Sequence, residues 1–328
     1  MKVLVTGGTG FVGYNLISKL VQNNDLEIRT IARSEEKAEK LKKFKNVEII
    51  IGDLKDKDLI YRSVKNIDKV FHIAALFREA KYPDSEYWKV NVEATKNLLE
   101  ASLENGVKRF IHCSTIGVVE DVKKIPANEE TPYQPKDIYQ VTKTEGEKLV
   151  LRYYKEHGLN VTIIRPCAIY GPGDMRLYKV FKNIKKRRFV IIGNGNTYYH
   201  PVYIDNLIQG FILASENEKA IGEIFIIGDE KYYKLIDFLK IIADEVGAPL
   251  PKIKIPAKPV QILATIVEKT FIAFKKEPPI YRRRVGFFTN SRAFDISKAK
   301  NILGYKPLID FPTGVHLTAE WYRENKLL

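Results

Sequence analysis

Thr6-Gly7-Gly8-Thr9-Gly10-Phe11-Val12-Gly13 decides how the rest of the chain is read. It follows a short apolar run, Lys2 to Thr6, and opens a stretch with helical spacing near Phe11 to Gln22. Glycines let the backbone turn sharply and approach a pyrophosphate, whose charge then rests on the unpaired amides of the helix N-terminus. A Gly-rich turn with a purely structural role is the alternative, but a strand before and a helix after are the setting a dinucleotide turn requires. The glycines fit both GxGxxG (Gly8, Gly10, Gly13) and GxxGxxG (Gly7, Gly10, Gly13), so spacing does not choose between dehydrogenase types.

Outward from the turn, short apolar runs alternate with helical stretches, the pattern of a parallel sheet covered on both faces. The expected strands are Lys2 to Thr6, Glu27 to Ala32, Val47 to Ile51, Lys69 to Ala74, Arg109 to Ser114 and Asn160 to Arg165. Helices are expected near Phe11 to Gln22, Glu35 to Lys43, Ser85 to Asn105 and Asp137 to His157. Such alternation predicts an α/β fold, a Rossmann-type doubly wound parallel sheet with a smaller mixed α/β C-terminal substrate domain. After Arg165 the rhythm breaks at Pro166, Gly171, Pro172 and Gly173. The division expected is a dinucleotide-binding domain over 1–165 plus about 201–228, where the run between Gly222 and Gly228 returns to the sheet. Residues of about 166–200 and 229–328 form the substrate-binding domain.

Composition narrows the function classes. With 328 residues, 45% apolar and 11% aromatic, the chain can bury a sizeable core, which excludes disorder;. Fifty-four Lys and Arg against 40 Asp and Glu leave a net charge of +14. That charge is spread along most of the sequence without interleaved aromatics, so a solvated Lys-rich surface is preferred to DNA or RNA binding. The glycines interrupt any signal-peptide core near the start, and Cys113 and Cys167 make no disulfide framework, so a reducing, cytoplasmic compartment is expected;. No metal site is expected, because the five histidines show no ligand spacing;. GxxxxGK[ST], HExxH and GxSxG are all missing from the sequence. The apolar segment Pro259 to Phe274, followed by Lys275 and Lys276, is expected as a core or lid helix. Apolar residues on more than one of its faces favour that over a membrane-surface segment;.

The end of the second strand is where an acidic side chain would hold a ribose 2′-hydroxyl, and there the sequence reads Ile31-Ala32-Arg33-Ser34;. Arg33 suits a 2′-phosphate, which favours NADP over NAD; an ordinary surface arginine is the alternative. Four tyrosines precede a lysine by four residues, but only Tyr139 and Lys143 lie after the fifth strand inside a long helix, sharing one face;. A phenol of pKa about 10 must fall toward about 7 to exchange a proton in neutral solution, a change of roughly 4 kcal/mol. An ammonium about 4 Å away, in an effective dielectric of about 20, supplies roughly that amount. Cys113-Ser114-Thr115 ends the preceding strand, and a hydroxyl of Thr115 or Ser114 there would hydrogen-bond a substrate oxygen as its charge develops;.

With the glycine turn stand Gly52-Asp53-Leu54, His72-Ile73-Ala74-Ala75, Asn91 opening the run to Ala101, Ser114-Thr115, Tyr139 with Lys143, and Arg165-Pro166 followed by Tyr170-Gly171-Pro172-Gly173. Together they resemble the extended short-chain dehydrogenase/reductase family, also called the NAD-dependent epimerase/dehydratase family, over nearly the whole chain. The resemblance implies that Gly7, Gly10, Phe11, Val12 and Gly13 cradle the cofactor, with Asp53 and Leu54 bordering the adenine. It implies that Ala74, Ala75, Asn91 and Pro166 lie along the cofactor, that Lys143 holds the nicotinamide ribose and that Tyr139 is the acid/base. The family's hydroxyl position falls on Thr115, with Ser114 as the near alternative, and a homodimer through a four-helix contact is implied.

Two positions depart from members that act on nucleotide sugars: Ala168 stands where an Asn is usual, and Tyr199 where an Arg meets a phosphate. Arg176 or Arg282 to Arg284 remain as substitutes, so Ala168, Tyr199 and Arg176 are the candidate substrate contacts. Thr197 to Leu207, Glu277-Pro278-Pro279 and Arg292 to Ala299 are more similar to the 3β-hydroxysteroid dehydrogenase and dihydroflavonol reductase side of the family. The expected function is therefore NAD(P)-dependent hydride transfer to or from an alcohol or ketone. A nucleotide-sugar epimerase or dehydratase with retained NAD is the first alternative, and a non-catalytic dinucleotide- or RNA-binding protein the second.

Overall fold

Seven apolar runs become parallel strands: β1 (Lys2–Thr6), β2 (Glu27–Ala32), β3 (Val47–Ile51), β4 (Lys69–His72), β5 (Arg109–Cys113), β6 (Val161–Pro166) and β7 (Ile224–Ile227). The computed structural model describes residues 1–77, 82–119, 122, 124–273 and 282–328, with backbone alone at 269, 272, 273 and 282–284. The sheet runs β3-β2-β1-β4-β5-β6-β7, every neighbour parallel. Alternation sorts the strand residues between two cores: Val3 and Val5 pack with Leu16 and Ile17 on one face, and Leu4 with Ile60 and Leu98 on the other;. The first three strands keep their expected ends, and the run between Gly222 and Gly228 joins the sheet beside β6.

The helices used below are α1 (Phe11–Leu20), α2 (Lys57–Val64), α3 (Ala94–Glu104), α4 (Ile138–His157), α5 (Ala257–Ala273) and α6 (Arg282–Thr289). Three expectations are corrected. No helix was expected between β3 and β4, yet α2 forms there, capped by Asp56, whose carboxylate accepts from Leu59 N at 3.1 Å;. The helix expected over Glu35 to Lys43 is a four-residue turn, Glu35–Ala38, followed by a 3-10 turn, because only Ala38 and Leu41 give this charged stretch a buried face. The helix expected over Ser85 to Asn105 is broken into Asp84–Trp88, a π-turn at Lys89–Glu93, and α3. The π-turn contains Asn91, which is buried and hydrogen-bonded away from the helix;.

Residues after β6 add short two-stranded pairings: Ala168–Tyr170 with Pro201–Tyr203, Tyr198–Tyr199 with Tyr233–Lys234, and Ile191–Ile192 with Lys254–Ile255. Their apolar residues continue the core on one face of the sheet as far as Phe311 and Tyr322. The segment expected as a core or lid helix is neither wholly core nor covered. Within α5, Ala264 is buried, but Ile262, Leu263 and Ile266 are 63%, 53% and 57% exposed. Two apolar stripes share this helix, and only one faces inward. Phe274, Lys275, Lys276 and Glu277-Pro278-Pro279 lie outside the described residues, as do the side chains of Arg282 to Arg284.

Candidate active site

The strand order reverses between β1 and β4, which opens a crevice above their carboxyl ends;. The glycine turn occupies that point. Gly7 has φ +74°, and a Cβ on Gly13 would come within 2.3 Å of Gly7 O, so the turn closes only with glycine at both positions;. No side chain caps α1 at Gly10, which leaves the first-turn amides to an anionic ligand;. This cradle fits a dinucleotide pyrophosphate.

Behind the turn, a buried chain of hydrogen bonds fixes both walls of the crevice. Thr6 Oγ1 accepts from Ala74 N at 3.1 Å and meets His72 Nδ1 at 2.8 Å. Thr95 Oγ1 donates to Asn91 O at 2.8 Å, so it accepts from His72 Nε2 at 2.9 Å, and the neutral ring carries its proton on Nε2;. Burial depresses the His72 pKa to about 3, which keeps the ring neutral;.

The crevice widens into a cleft of about 970 Å³. Gly7, Gly10, Phe11, Val12 and Gly13 line it, together with Arg33 beyond β2 and Asp53 and Leu54 beyond β3. Ala74 and Ala75 follow β4 onto the wall, Ser114 and Thr115 follow β5, Pro166 ends β6 and Ala168 follows it. Tyr139, Arg176 and Tyr199 complete the expected set on this surface. Asn91 and Lys143 do not line the cleft; they are 1% and 2% exposed and lie behind it. The Asn91 Oδ1 accepts from Leu76 N at 2.8 Å, while Nδ2 donates to Leu76 O at 3.2 Å and Thr142 Oγ1 at 3.0 Å. It holds the loop that a cofactor would touch.

An Asp137–Gln140 capping box starts α4, with Gln140 N donating to Asp137 Oδ1 at 2.8 Å, so Tyr139 sits in the first turn and Lys143 one turn later;. Lys143 Nζ donates to Cys113 O at 2.7 Å and lies 3.3 Å from His112 Nε2. Burial lowers the Lys143 pKa, and burial with the neighbouring Lys143 charge pushes His112 well below its ordinary value, so the neutral ring can accept at Nε2. The Tyr139 ring stands edge-on to Phe77 at 5.0 Å, and Phe77 in turn lies 5.6 Å from the Arg176 guanidinium.

The two hydroxyls differ. Ser114 Oγ donates to Glu147 Oε2 at 2.6 Å, a carboxylate also held by Arg165 and by Tyr133 OH at 2.9 Å. Thr115 Oγ1 accepts from Gly117 N at 3.0 Å, a bond that leaves its own proton to donate;. Burial raises the Cys113 thiol to about 11 and Cys167 well above its usual range, so neither supplies a thiolate at neutral pH;. The sequence reading missed Phe77, His112, Asp174, Phe287 and Phe288. His112 had a signal, a titratable ring inside the apolar strand Arg109–Cys113; the lone aromatics beyond the strands had none.

Residues 4–257 match the model of the 3-beta hydroxysteroid dehydrogenase/isomerase family. The chain belongs to this family. It sits within the extended short-chain dehydrogenase/reductase, or NAD-dependent epimerase/dehydratase, superfamily. The chain is 32% identical to the 3beta-hydroxysteroid-dehydrogenase/decarboxylase isoform 1 of Arabidopsis thaliana, over 98% of this chain and 80% of that protein. It is 33% identical to a 3-beta-hydroxysteroid dehydrogenase of Mycolicibacterium neoaurum, over 94% and 87% of the two chains. Among solved structures it resembles the UDP-glucuronic acid 4-epimerase of Bacillus cereus in complex with NAD, with a TM-score of 0.81, 25% identity and 99% of each chain covered. Membership makes the protein an NAD(P)-dependent oxidoreductase of the 3β-hydroxysteroid dehydrogenase type.

Proposed function

We propose that this chain interconverts a secondary alcohol and its ketone on an apolar, ring-bearing molecule of sterol-like character, with Thr115, Tyr139 and Lys143 as its chemical trio. The observation that carries this reading is the cleft wall: Tyr139 and Thr115 open onto the same space as Ile169, Val180, Phe189, Phe287 and Phe288. A nucleotide sugar would instead need cationic partners for its diphosphate. Ala168 and Tyr199 offer none at the two positions where nucleotide-sugar enzymes carry polar partners, and Arg176 Nε is held by Asp174 at 2.9 Å, which leaves Lys179 and Arg292 as the other lining cations on the substrate side. The curated relatives are named for 3β-hydroxysteroids, which agrees.

When bound, the nicotinamide supplies the carbon that accepts or gives up hydride. Thr115 donates its hydroxyl proton as a hydrogen bond to the substrate oxygen and so orients the reacting carbon. Tyr139 takes the alcohol proton as a phenolate, or returns it as a phenol. Lys143 keeps a positive charge beside that exchange, held to β5 by Cys113 O and His112, with one ammonium proton left for the cleft side;. Arg33 at the exit of β2 favours NADP, since no carboxylate meets a ribose hydroxyl there;.

The test is to mix purified protein with NAD or NADP and either a 3β-hydroxysterol or a UDP-sugar, and to follow reduced nicotinamide by absorbance. Net reduction with the sterol, abolished in Tyr139→Phe with cofactor binding retained, is expected. Conversion of the UDP-sugar without net cofactor reduction would replace this reading with the epimerase one. Arg33→Ala should weaken NADP binding and spare NAD; equal effects on both would remove the cofactor preference.

A further inference from the structure

We propose that His112 is a positioning residue for the reaction, held in its rarer neutral tautomer so that it fixes how the Lys143 ammonium is presented to the cleft. The inference rests on the reading of Tyr139 and Lys143 as the proton-exchanging pair. His112 lies inside β5, is fully buried and does not reach the cleft surface, so it acts only through its neighbour. An ammonium has three protons to place. Cys113 O takes one at 2.7 Å and His112 Nε2 a second at 3.3 Å, which leaves one. With the carbonyl alone, the head group would turn about a single bond; with two acceptors on β5, its direction is set.

Only one tautomer allows this. With its proton on Nε2, the ring would face the ammonium donor to donor, whereas a proton on Nδ1 leaves the Nε2 lone pair free to accept. Nδ1 is buried and has no hydrogen-bond partner among the described residues. An unpaired buried N–H is a cost that an apolar ring at this place would avoid. The contact with Lys143 is what such a ring could not make. His72, 5.3 Å away between ring centroids, carries its proton on Nε2, so the two buried rings hold opposite tautomers. Helix α4 closes over the site: a Cβ on Gly146 would lie 3.9 Å from His112 Nε2 and 2.9 Å from Asn91 O.

The acceptor also bears on charge. Burial lowers the Lys143 pKa, opposed by Cys113 on β5 and Glu147 on α4, while His72 on β4 and His112 itself stay neutral. A hydrogen bond accepted from the ammonium favours its charged form, so His112 extends the pH range over which Lys143 is positive.

Two measurements on the full chain test this. Nuclear magnetic resonance of isotope-labelled histidine, with His112 assigned by its loss in His112→Gln, should show an Nδ1–H ring at His112 and an Nε2–H ring at His72. Lys143→Met should shift the His112 Nε2 resonance. An Nε2–H ring at His112, or a resonance indifferent to Lys143→Met, overturns the proposal. In kinetics with NADP and a 3β-hydroxysterol, His112→Phe should lower kcat by at least about tenfold with the sterol KM unchanged. Its alkaline limb should move down by at least about one pH unit, and His112→Gln, whose side-chain carbonyl can accept, should recover most of both. A His112→Phe enzyme with wild-type kcat and limb overturns the proposal, as does a glutamine variant no better than phenylalanine. Wild type that reduces no cofactor with the sterol defeats the proposed function, and the tautomer with its response to Lys143→Met then decides this inference alone.

Discussion

Acid should destabilise this protein above the pH at which an ordinary exposed carboxylate titrates, because His72, His112 and His200 are buried and neutral. Burial holds His72 at about 3 and His200 at about 4, and drives His112 well below its ordinary value. An unfolded histidine titrates at about 6.5, so as pH falls through that value the unfolded chain takes up protons that the native state refuses, and stability drops. Between about pH 7 and pH 5 each of these histidines costs roughly 2 kcal/mol. Asp229 works in the opposite direction. Burial lifts it to about 6. The native state therefore protonates it before the unfolded chain, whose carboxylate titrates at about 3.9, and regains roughly 1 kcal/mol over that interval. Burial raises Glu129 and Asp205 as well, in the same sense as Asp229, so the net loss is at most about 4 kcal/mol, still a large part of the roughly 5–15 kcal/mol that holds a typical domain. Urea unfolding followed by circular dichroism across this pH range measures it directly. His112→Phe, which removes one of the three rings, should reduce the loss, by no more than about 2 kcal/mol. Unfolding free energies that stay level on acidification, or a His112→Phe slope equal to wild type, would refute the assignment of neutral buried rings.

Three further outcomes are expected. Thr115→Ala should lower kcat by about 10²–10³-fold, whereas Ser114→Ala should leave Glu147 one donor short, lower stability by about 1–3 kcal/mol and change kcat little; the reverse pattern in steady-state kinetics would exchange their roles. Gly13→Ala puts a methyl group 2.3 Å from Gly7 O, and calorimetry should find dinucleotide affinity down by at least about tenfold;. Burial lowers the Lys143 pKa, so its charge is present below that value and lost above it. The alkaline limb of kcat should therefore begin below the ordinary lysine value of about 10.4, and a profile flat to that point would count against a charged Lys143 assisting Tyr139.

Much of the sheet was legible because strands covered on both faces are apolar almost throughout, and punctuation residues bound them. Lys2–Thr6, Glu27–Ala32 and Val47–Ile51 are read to the residue on that basis. Lys57–Val64 escaped notice because its charged positions blur the helical spacing of Leu59, Ile60 and Val64, although Asp56 carried the cap signal. Sequence spacing put Tyr139 and Lys143 on one helix face, but not at what depth: Tyr139 reaches the cleft while Lys143 lies against β5. Asn91 is misplaced for a similar reason, since a π-turn re-aims its side chain and no propensity announces such a turn;. For α5, two apolar stripes are equally visible in the sequence, and only tertiary packing chooses which one is covered.

The Asn91 carboxamide gives Leu76 what a neighbouring strand would give, one acceptor and one donor, and spends its remaining proton on Thr142, the residue before Lys143. One side chain thereby tethers the loop after β4, on the cleft wall, to the helix that carries Tyr139 and Lys143. Slackening that tether would be felt at both ends of the cleft together, so an Asn91 variant should betray itself in ligand grip and turnover alike while touching neither reactant.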